Sequence, residues 1–519
     1  MHWQRAAIFA ALFLFSLGRV ASAQDVTLTS RDGSVEISGT LLGFDGEFYR
    51  VDTQFGELTV DGTGVRCSGP ACPNLLDFVA EVAFSGSSTM AEKLMPALIQ
   101  GFALRNRYTV ARLQEDETNV VYELSQKDTA AKLARFRVRV TNTDEGFADL
   151  LANETDLVLA QREIRESENA LAIDAGMGDM TGPGRSRVLA LDAMVPVISM
   201  DNPVREISTL DLARVFAGEV INWSELGGPD APIALHLAGL GSGLAQAVED
   251  YLIKPASLDL AETITRHKIS SSIVEAVESD PFAIGLASFA EAESARVLTL
   301  SGGCGFQLAA NRRSIKTEDY PLSSPMFLYL PARRLPQAGR AFLAYLRSPA
   351  AQVVIRRAGF VDQAAEEIPI DAQGDRFANA VLSAGEEVGL DELQRMVDVL
   401  KPLSRLTISF RFEPGSSRPD AQSRANINTL ATLIEAGEYD GRRMVFVGFS
   451  DGEGAASGNK RIARARARAV RDAVLADAEA ATLGLVDIQL EAFGEALPMA
   501  CDDTEWGRKA NRRVEVWVR

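Results

Sequence analysis

Histidine is almost missing from this chain, with three in 519 residues: His2, His236 and His267. So few, so far apart, supply neither a zinc ligand set nor a catalytic triad. No G-x-x-x-x-G-K-S/T, H-E-x-x-H or G-x-S-x-G stretch takes their place. Catalysis is therefore the class these residues support least, and no metal or organic cofactor is expected. His236, in an apolar strand, reads as packed core. A basic excess is missing too: 53 Lys+Arg stand against 71 Asp+Glu, a net charge of −18. Residues 406–519 hold 16 basic against 17 acidic side chains, so the acidity lies upstream. Such a surface repels phosphate backbones, and nucleic acid is not an expected partner.

Long apolar runs are missing after the first residues. Ala6 to Leu17 is shorter than the roughly 20 residues a membrane span needs, and no later segment is that long and uncharged. Residues 1–23 read instead as a secretory signal, with Arg5 as the positive start and Ala21-Ser22-Ala23 as the cleavage site. A soluble exported chain beginning at Gln24 is expected. No cysteine follows the apolar run, so no lipid anchor is expected there. Cysteine is scarce but even in number: Cys67, Cys72, Cys304 and Cys501. Export puts them where disulfides form, and four allow three connectivities. Cys67 and Cys72 enclose CSGPAC, whose Gly and Pro favour a turn, so these two are expected to pair. That leaves Cys304 with Cys501, a bond that ties the middle of the chain to its C-terminal part. Free buried thiols are the alternative.

What is present divides the chain. Residues 24–76 alternate apolar and polar, with Asp-Gly turns at Asp32, Asp45 and Asp61, and read as a small β module of four or five strands. Residues 77–365 alternate short apolar strands with helical stretches, as α/β folds do. Residues 366–405 read as a helical linker, a spacer or docking helix. Residues 406–519 open on a strand from Leu406 to Phe412 and include a helix from about Ser457 to Leu475. On that helix Arg461, Arg464, Arg468 and Arg471 share one stripe, while Arg466 falls on the opposite face among Ile462, Ala463, Val470, Ala473 and Val474. A guanidinium there needs an anionic partner. A protein carboxylate and a ligand are both open on periodicity alone.

From Gly448 the chain reads GFSDGEGAASGN, then the arginine-studded helix, GFGE, and WGRKANRRVEVWVR to Arg519. This order resembles the OmpA-like peptidoglycan-binding domain of Gram-negative envelope proteins. The resemblance implies that Asp451 and Arg466 hold diaminopimelate of the peptide stem. Asp451 accepts from its ammonium and Arg466 offers a planar fork to its carboxylate. Asn459, Asn511 and Arg512 match further family positions. Phe449 stands where the family has histidine, and Ile462-Ala463 where it has Leu-Ser.

The middle segment carries LDLARVFAGEVINWSELGG (Leu210 to Gly228), AFSGSSTM (Ala83 to Met90), DLVLAQREI (Asp156 to Ile164), DPFAIG (Asp280 to Gly285) and FLAYLRSPAAQVVIRRAGFV (Phe342 to Val361). These are similar, in order, to the periplasmic phosphate-binding protein family of ABC importers. The resemblance implies two α/β lobes with a ligand cleft between them, the chain crossing near Leu191 and returning near Ala290. It also implies a ligand site of Gly86, Ser87, Ser88, Thr89, Arg162, Ser242 and Gly243. Hydroxyls and free NH groups at a helix start suit an oxyanion, although plain N-capping uses the same residues. The rest of the family site is altered: Ala160 and Gln161 replace serines, Ala238 an arginine, and Leu244 a threonine. Each lost charge-assisted bond removes about 1.5 to 3 kcal/mol, so tight phosphate binding is not expected. Arg162 remains as one cation, with Thr141, Asn142 and Thr143 as donors.

The expectation is a multidomain chain: a small N-terminal β module, a two-lobed α/β periplasmic-binding-protein fold and a C-terminal α/β OmpA-like domain. Its expected role is a periplasmic solute-binding protein for phosphate or another small anion, tethered non-covalently to peptidoglycan at or near the outer membrane. An ABC transporter or another envelope protein is the further partner. The alternative is an envelope scaffold whose two-lobed domain captures no transport ligand.

Overall fold

The computed structural model describes residues 25–75, 78–268, 271–385, 387–412, 416–478 and 483–519. The expected signal segment and Gln24 lie outside them. The chain forms two compact units: residues up to Ala80 with Arg334–Gly339, and Glu81–Arg333 with Arg340–Arg519.

In the first unit, five antiparallel strands run in the order Gly56–Asp61, Phe48–Thr53, Glu36–Phe44, Val26–Ser30, Val65–Ser68. Alternation buries Val26, Leu28, Tyr49 and Val51 on one face. A disulfide joins Cys67 to Cys72. The segment from Arg334 comes from far along the chain. Its guanidinium bonds Asp45 at 2.7 Å and Glu47 at 2.6 Å and lies 4.2 Å from the Phe48 ring.

The second unit is organised by one long strand, Ser186–Ile198, whose length lets it serve two sheets. Its first half pairs with Ser323–Tyr329, and that sheet continues through Leu157–Ala160, Ala80–Ser87, Lys132–Thr141, Asn119–Gln126 and Tyr108–Gln114. Its second half pairs with Ala283–Ser288, followed by Ala234–Ala238 and Thr265–His267. Helices cover both halves, giving two lobes. The crossing falls where it was expected, around Leu191. The return does not: beyond Ala290 the strand Arg296–Val297 still pairs with the second-lobe half, and the chain comes back only at Ser323–Tyr329.

The C-terminal part packs within the same unit. Its sheet runs Glu367–Ile368, Ser404–Arg411, Arg513–Val518, Arg443–Phe449, Asp487–Gly494. Helices Ala421–Glu435 and Ala456–Asp477 cover one face, over Leu406, Ile408, Phe410, Val514 and Val516. The other face is covered by Gly374–Leu382 and Leu390–Leu400, through Leu393, Met396 and Leu400 against Val445, Val447, Phe449 and Trp517. Residues 366–405 are thus no spacer but a layer of this domain. The stripe at i, i+3 and i+7 that marked a helix is the face it buries.

Alternation along Ser404–Arg411 also puts Arg405 and Arg411 on one face, and that face is buried against the second lobe. Arg405 bonds Asp319 at 2.7 and 3.0 Å, and Arg411 bonds it at 3.1 Å. Beside them Glu515 accepts from Arg513 at 2.7 Å, from Trp517 Nε1 at 3.0 Å and from Arg376. A disulfide between Cys304 and Cys501 closes the same interface.

Glu318 lies at its edge with a buried Oε1 that no group meets. Burial, reinforced by Asp420, raises its pKa from the ordinary 4.5 to about 8 despite Arg411. A carboxyl raised on folding favours the folded state less and less as pH climbs from the unfolded value to the folded one. Glu318→Gln is therefore expected to leave the melting temperature unchanged below about pH 4.5. It should raise it progressively up to about pH 8, as melting curves across that range will record.

Candidate functional site

Asp451 and Arg466 are positioned by strand Arg443–Phe449 and helix Ala456–Asp477. At Gly448 the helix lies so close that a Cβ would stand 2.1 Å from Ala463 O, so only glycine permits the contact. That approach carries Arg466, one turn on, toward Asp451 beyond the strand end. Arg466 is buried, at 5 % exposure. Its Nε donates to Ser416 O at 3.3 Å and its guanidinium sits 5.2 Å from the Phe412 ring. Among the described residues no carboxylate pairs with it. Burial first, and Arg512 second, lower its pKa, with Asp451 opposing them.

Asp451 is engaged by Arg512, whose NH1 donates to it at 2.9 Å while NH2 bonds Glu505. Arg512 Nε is buried without a partner. Among the described residues, then, Arg466 is a cation without a carboxylate partner, and it lies near Asp451, whose carboxylate Arg512 engages. Asn511 does something else. Its Oδ1 accepts from Met499 N at 2.6 Å and Ala500 N at 3.2 Å, and its Nδ2 donates to Ala500 O and Asp502. Every hydrogen-bonding position is spent on the adjacent loop, which sets it apart from the ligand role expected of it. Asn459 bonds Glu495. Phe449, in the histidine's place, is buried 4.3 Å from the Arg513 guanidinium. Glu505 and Asp502 escaped the sequence reading. Glu505, seven residues before Arg512 across one short helix, was detectable by spacing.

The cleft brings most of its expected residues together, but Arg162 is not free. Gly86 adopts φ 138°, and a Cβ there would lie 2.1 Å from Leu159 O, so backbone packing alone demands glycine. Ser87 Oγ donates to Gln161 Oε1 at 2.6 Å. Gln161 N donates to Thr143 Oγ1, and Thr143 N to Gln246 Oε1, both at 3.1 Å. From the second lobe a Cβ on Gly243 would stand 2.6 Å from both Ser87 Oγ and Gln161 Oε1. Ser242 caps its helix by accepting from Ala245 N. Ser88 and Thr89 make no side-chain bond among the described residues, and Thr89 does not cap.

Arg162, expected to supply the cation, is buried and engaged. It bonds Asp144 and, at 2.6 Å, Glu168, with Asp250 at 3.9 Å. Burial works against its charge, but hydrogen bonds to Glu168 and Asp144 outweigh that and raise its pKa. The guanidinium expected to face an anion is thus already paired with carboxylates of the protein.

Trp223 is buried with Nε1 donating to Phe282 O at 2.8 Å, and Trp506 donates to Tyr251 O at 2.7 Å. Two of the three histidines lie together: His236 Nδ1 is 2.9 Å from His267 Nε2, because parallel neighbouring strands carry them.

The model of the PBP superfamily domain matches residues 79–350, and that of the OmpA family matches residues 411–512. The phosphate-binding protein PstS of Bacillus subtilis is 27 % identical over 187 residues, 36 % of this chain and 60 % of that protein. Protein SphX of Synechococcus elongatus is 24 % identical over 236 residues, 43 % of this chain and 68 % of that protein. Among solved structures, an ABC-type phosphate transport receptor from Vibrio cholerae has 19 % identity and a TM-score of 0.41, covering 54 % of this chain and 99 % of its own. The peptidoglycan-associated lipoprotein of Burkholderia pseudomallei has 23 % identity and a TM-score of 0.19, covering 21 % and 89 %.

Proposed function

The chain belongs to the PBP superfamily and carries a C-terminal OmpA family domain, and from that premise we propose that it is a cell-envelope protein moored to peptidoglycan. The mooring is one diaminopimelate residue of the peptide stem. Arg466 donates to a carboxylate of that residue, and Asp451 accepts from its ammonium while still accepting from Arg512. The observation that carries this reading is the burial of Arg466 with no carboxylate partner among the described residues. A buried cation left unneutralised is unfavourable unless a ligand completes it.

At the wall the two-lobed domain serves as a scaffold rather than a transport receptor. Arg162 is neutralised by its own acidic neighbours, and the remaining cleft groups are hydroxyls and amides. The unused hydroxyls of Ser88 and Thr89 favour the second reading, capture of a small anion delivered to an ABC transporter. The setting proposed is the periplasm of a Gram-negative envelope, near the outer membrane.

Free meso-diaminopimelate is expected to displace the full chain from purified sacculi, while lysine, which lacks the second carboxylate, leaves it bound. Equal displacement by both, or by neither, overturns the mooring.

A further inference from the structure

Ligand-binding domains of two lobes work by hinge closure, so anything that ties both lobes to one rigid body controls them. Here the C-terminal domain is attached to each. On the first lobe Ala421 N donates to Glu163 Oε1 at 2.6 Å, and Arg424 lies 3.5 Å from the same carboxylate. Ala421 itself is packed into the first-lobe core with Phe147, Val158 and Phe327. On the second lobe the attachments are the Cys304–Cys501 disulfide, Gly303 N donating to Asp503 at 2.6 Å, and the paired Arg405 and Asp319. Trp506 adds its indole, packed against the second-lobe core.

The lobes also meet each other directly. Tyr251 OH donates to Gln161 O at 3.3 Å, Thr143 N to Gln246 at 3.1 Å, and Arg165 lies 3.5 Å from Asp250. Ser87 satisfies itself on the Gln161 amide oxygen, which stands where an anion's oxygen would otherwise accept.

We propose that the wall-binding domain is a brace: it holds the two lobes closed on their own side chains, so the middle domain does not open and close with ligand. To open, the lobes must rotate about the strands they share, and one set of attachments must then give. One set includes a covalent bond and a buried ion pair, and the other a helix start seated in the first-lobe core. A ligand shifts the lobes only by its differential affinity for open and closed forms, and the brace opposes that shift whatever the ligand. The brace is independent of which molecule Arg466 binds.

The test is a distance measurement between spin labels on the full chain, at Leu171→Cys on the first lobe and Leu240→Cys on the second, both exposed. The native cysteines are all in disulfides. The expected result is one narrow distance, unmoved by millimolar inorganic phosphate. In the triple variant Cys304→Ser, Cys501→Ser, Glu163→Ala the distribution is expected to broaden and lengthen. Glu163→Ala alone, which keeps the disulfide, should shift it partway and serves if the triple variant fails to fold. A distance in the unaltered protein that moves with phosphate, or a second longer population without it, overturns the brace. So does a folded release variant whose distribution matches the parent.

Discussion

Arg466→Ala is expected to abolish co-sedimentation with purified sacculi while leaving the protein as stable as before, or more so. Both halves follow from one geometry. The guanidinium is buried, faces the positive Arg512, and has Ser416 O and the Phe412 ring as its described contacts. Two charge-assisted bonds to a ligand carboxylate, at about 1.5 to 3 kcal/mol each, amount to about 100-fold or more in affinity. Removing a buried charge that has no carboxylate partner among the described residues relieves desolvation rather than exposing a partner. An arginine with a structural role behaves oppositely, because its loss strands a carboxylate and lowers stability. Asp451→Ala should also lose binding, with Arg512 still held by Glu505. If both variants sediment like the parent, Arg466 and Asp451 are not where the wall is held.

Asp319→Asn carries the largest expected effect on stability, about 3 to 5 kcal/mol, the range for removing one partner of a buried ion pair. Arg405 and Arg411 both end on this carboxylate, and their side chains are 2 % exposed. Urea midpoints of variant and parent measure the difference. A loss under about 1 kcal/mol, the value of an exposed pair, means that the lobe and the C-terminal sheet do not meet as described.

The pH dependence gives a second readout. Burial alone would raise Asp319, but Arg405 and its neighbours hold it well below the carboxylate range, and Arg376, Arg405 and Arg513 hold Glu515 at about 2. Depressed carboxylates stabilise the fold above their unfolded pKa. That stability is lost as pH falls from about 4 toward 2. Asp319→Asn should reduce this loss, leaving the part due to Glu515 and to other depressed carboxylates such as Asp116 and Asp362.

The Arg405 face shows why part of the fold was not legible. Read alone, alternation in Ser404–Arg411 separates Leu406, Ile408 and Phe410 from Arg405, Thr407, Ser409 and Arg411 and makes the second set look solvated. Periodicity identifies faces, not what covers them. The polar face is covered by the second lobe, whose Asp319 lies 86 residues from Arg405. Residues 366–405 present the same limit: their apolar stripe marked helices, but nothing in it named the sheet face they cover. At the wall-binding residues, the opposition of Arg466 to the other arginines was visible at helical spacing. That Asp451 faces Arg512 rather than Arg466 was not.

The amino-acid order by itself determined the strands, the helices, the even set of cysteines and the arginine placed on an apolar face. These depend on local propensity, periodicity and turn chemistry, which act over a few residues. Tertiary structure alone decided which charges are spent and which remain. It gave Arg162 to Asp144 and Glu168, left Arg466 without a carboxylate among the described residues, and set the C-terminal domain against both lobes. Electrostatic partnership depends on distances across the folded chain, and the spacing of residues along it does not encode them.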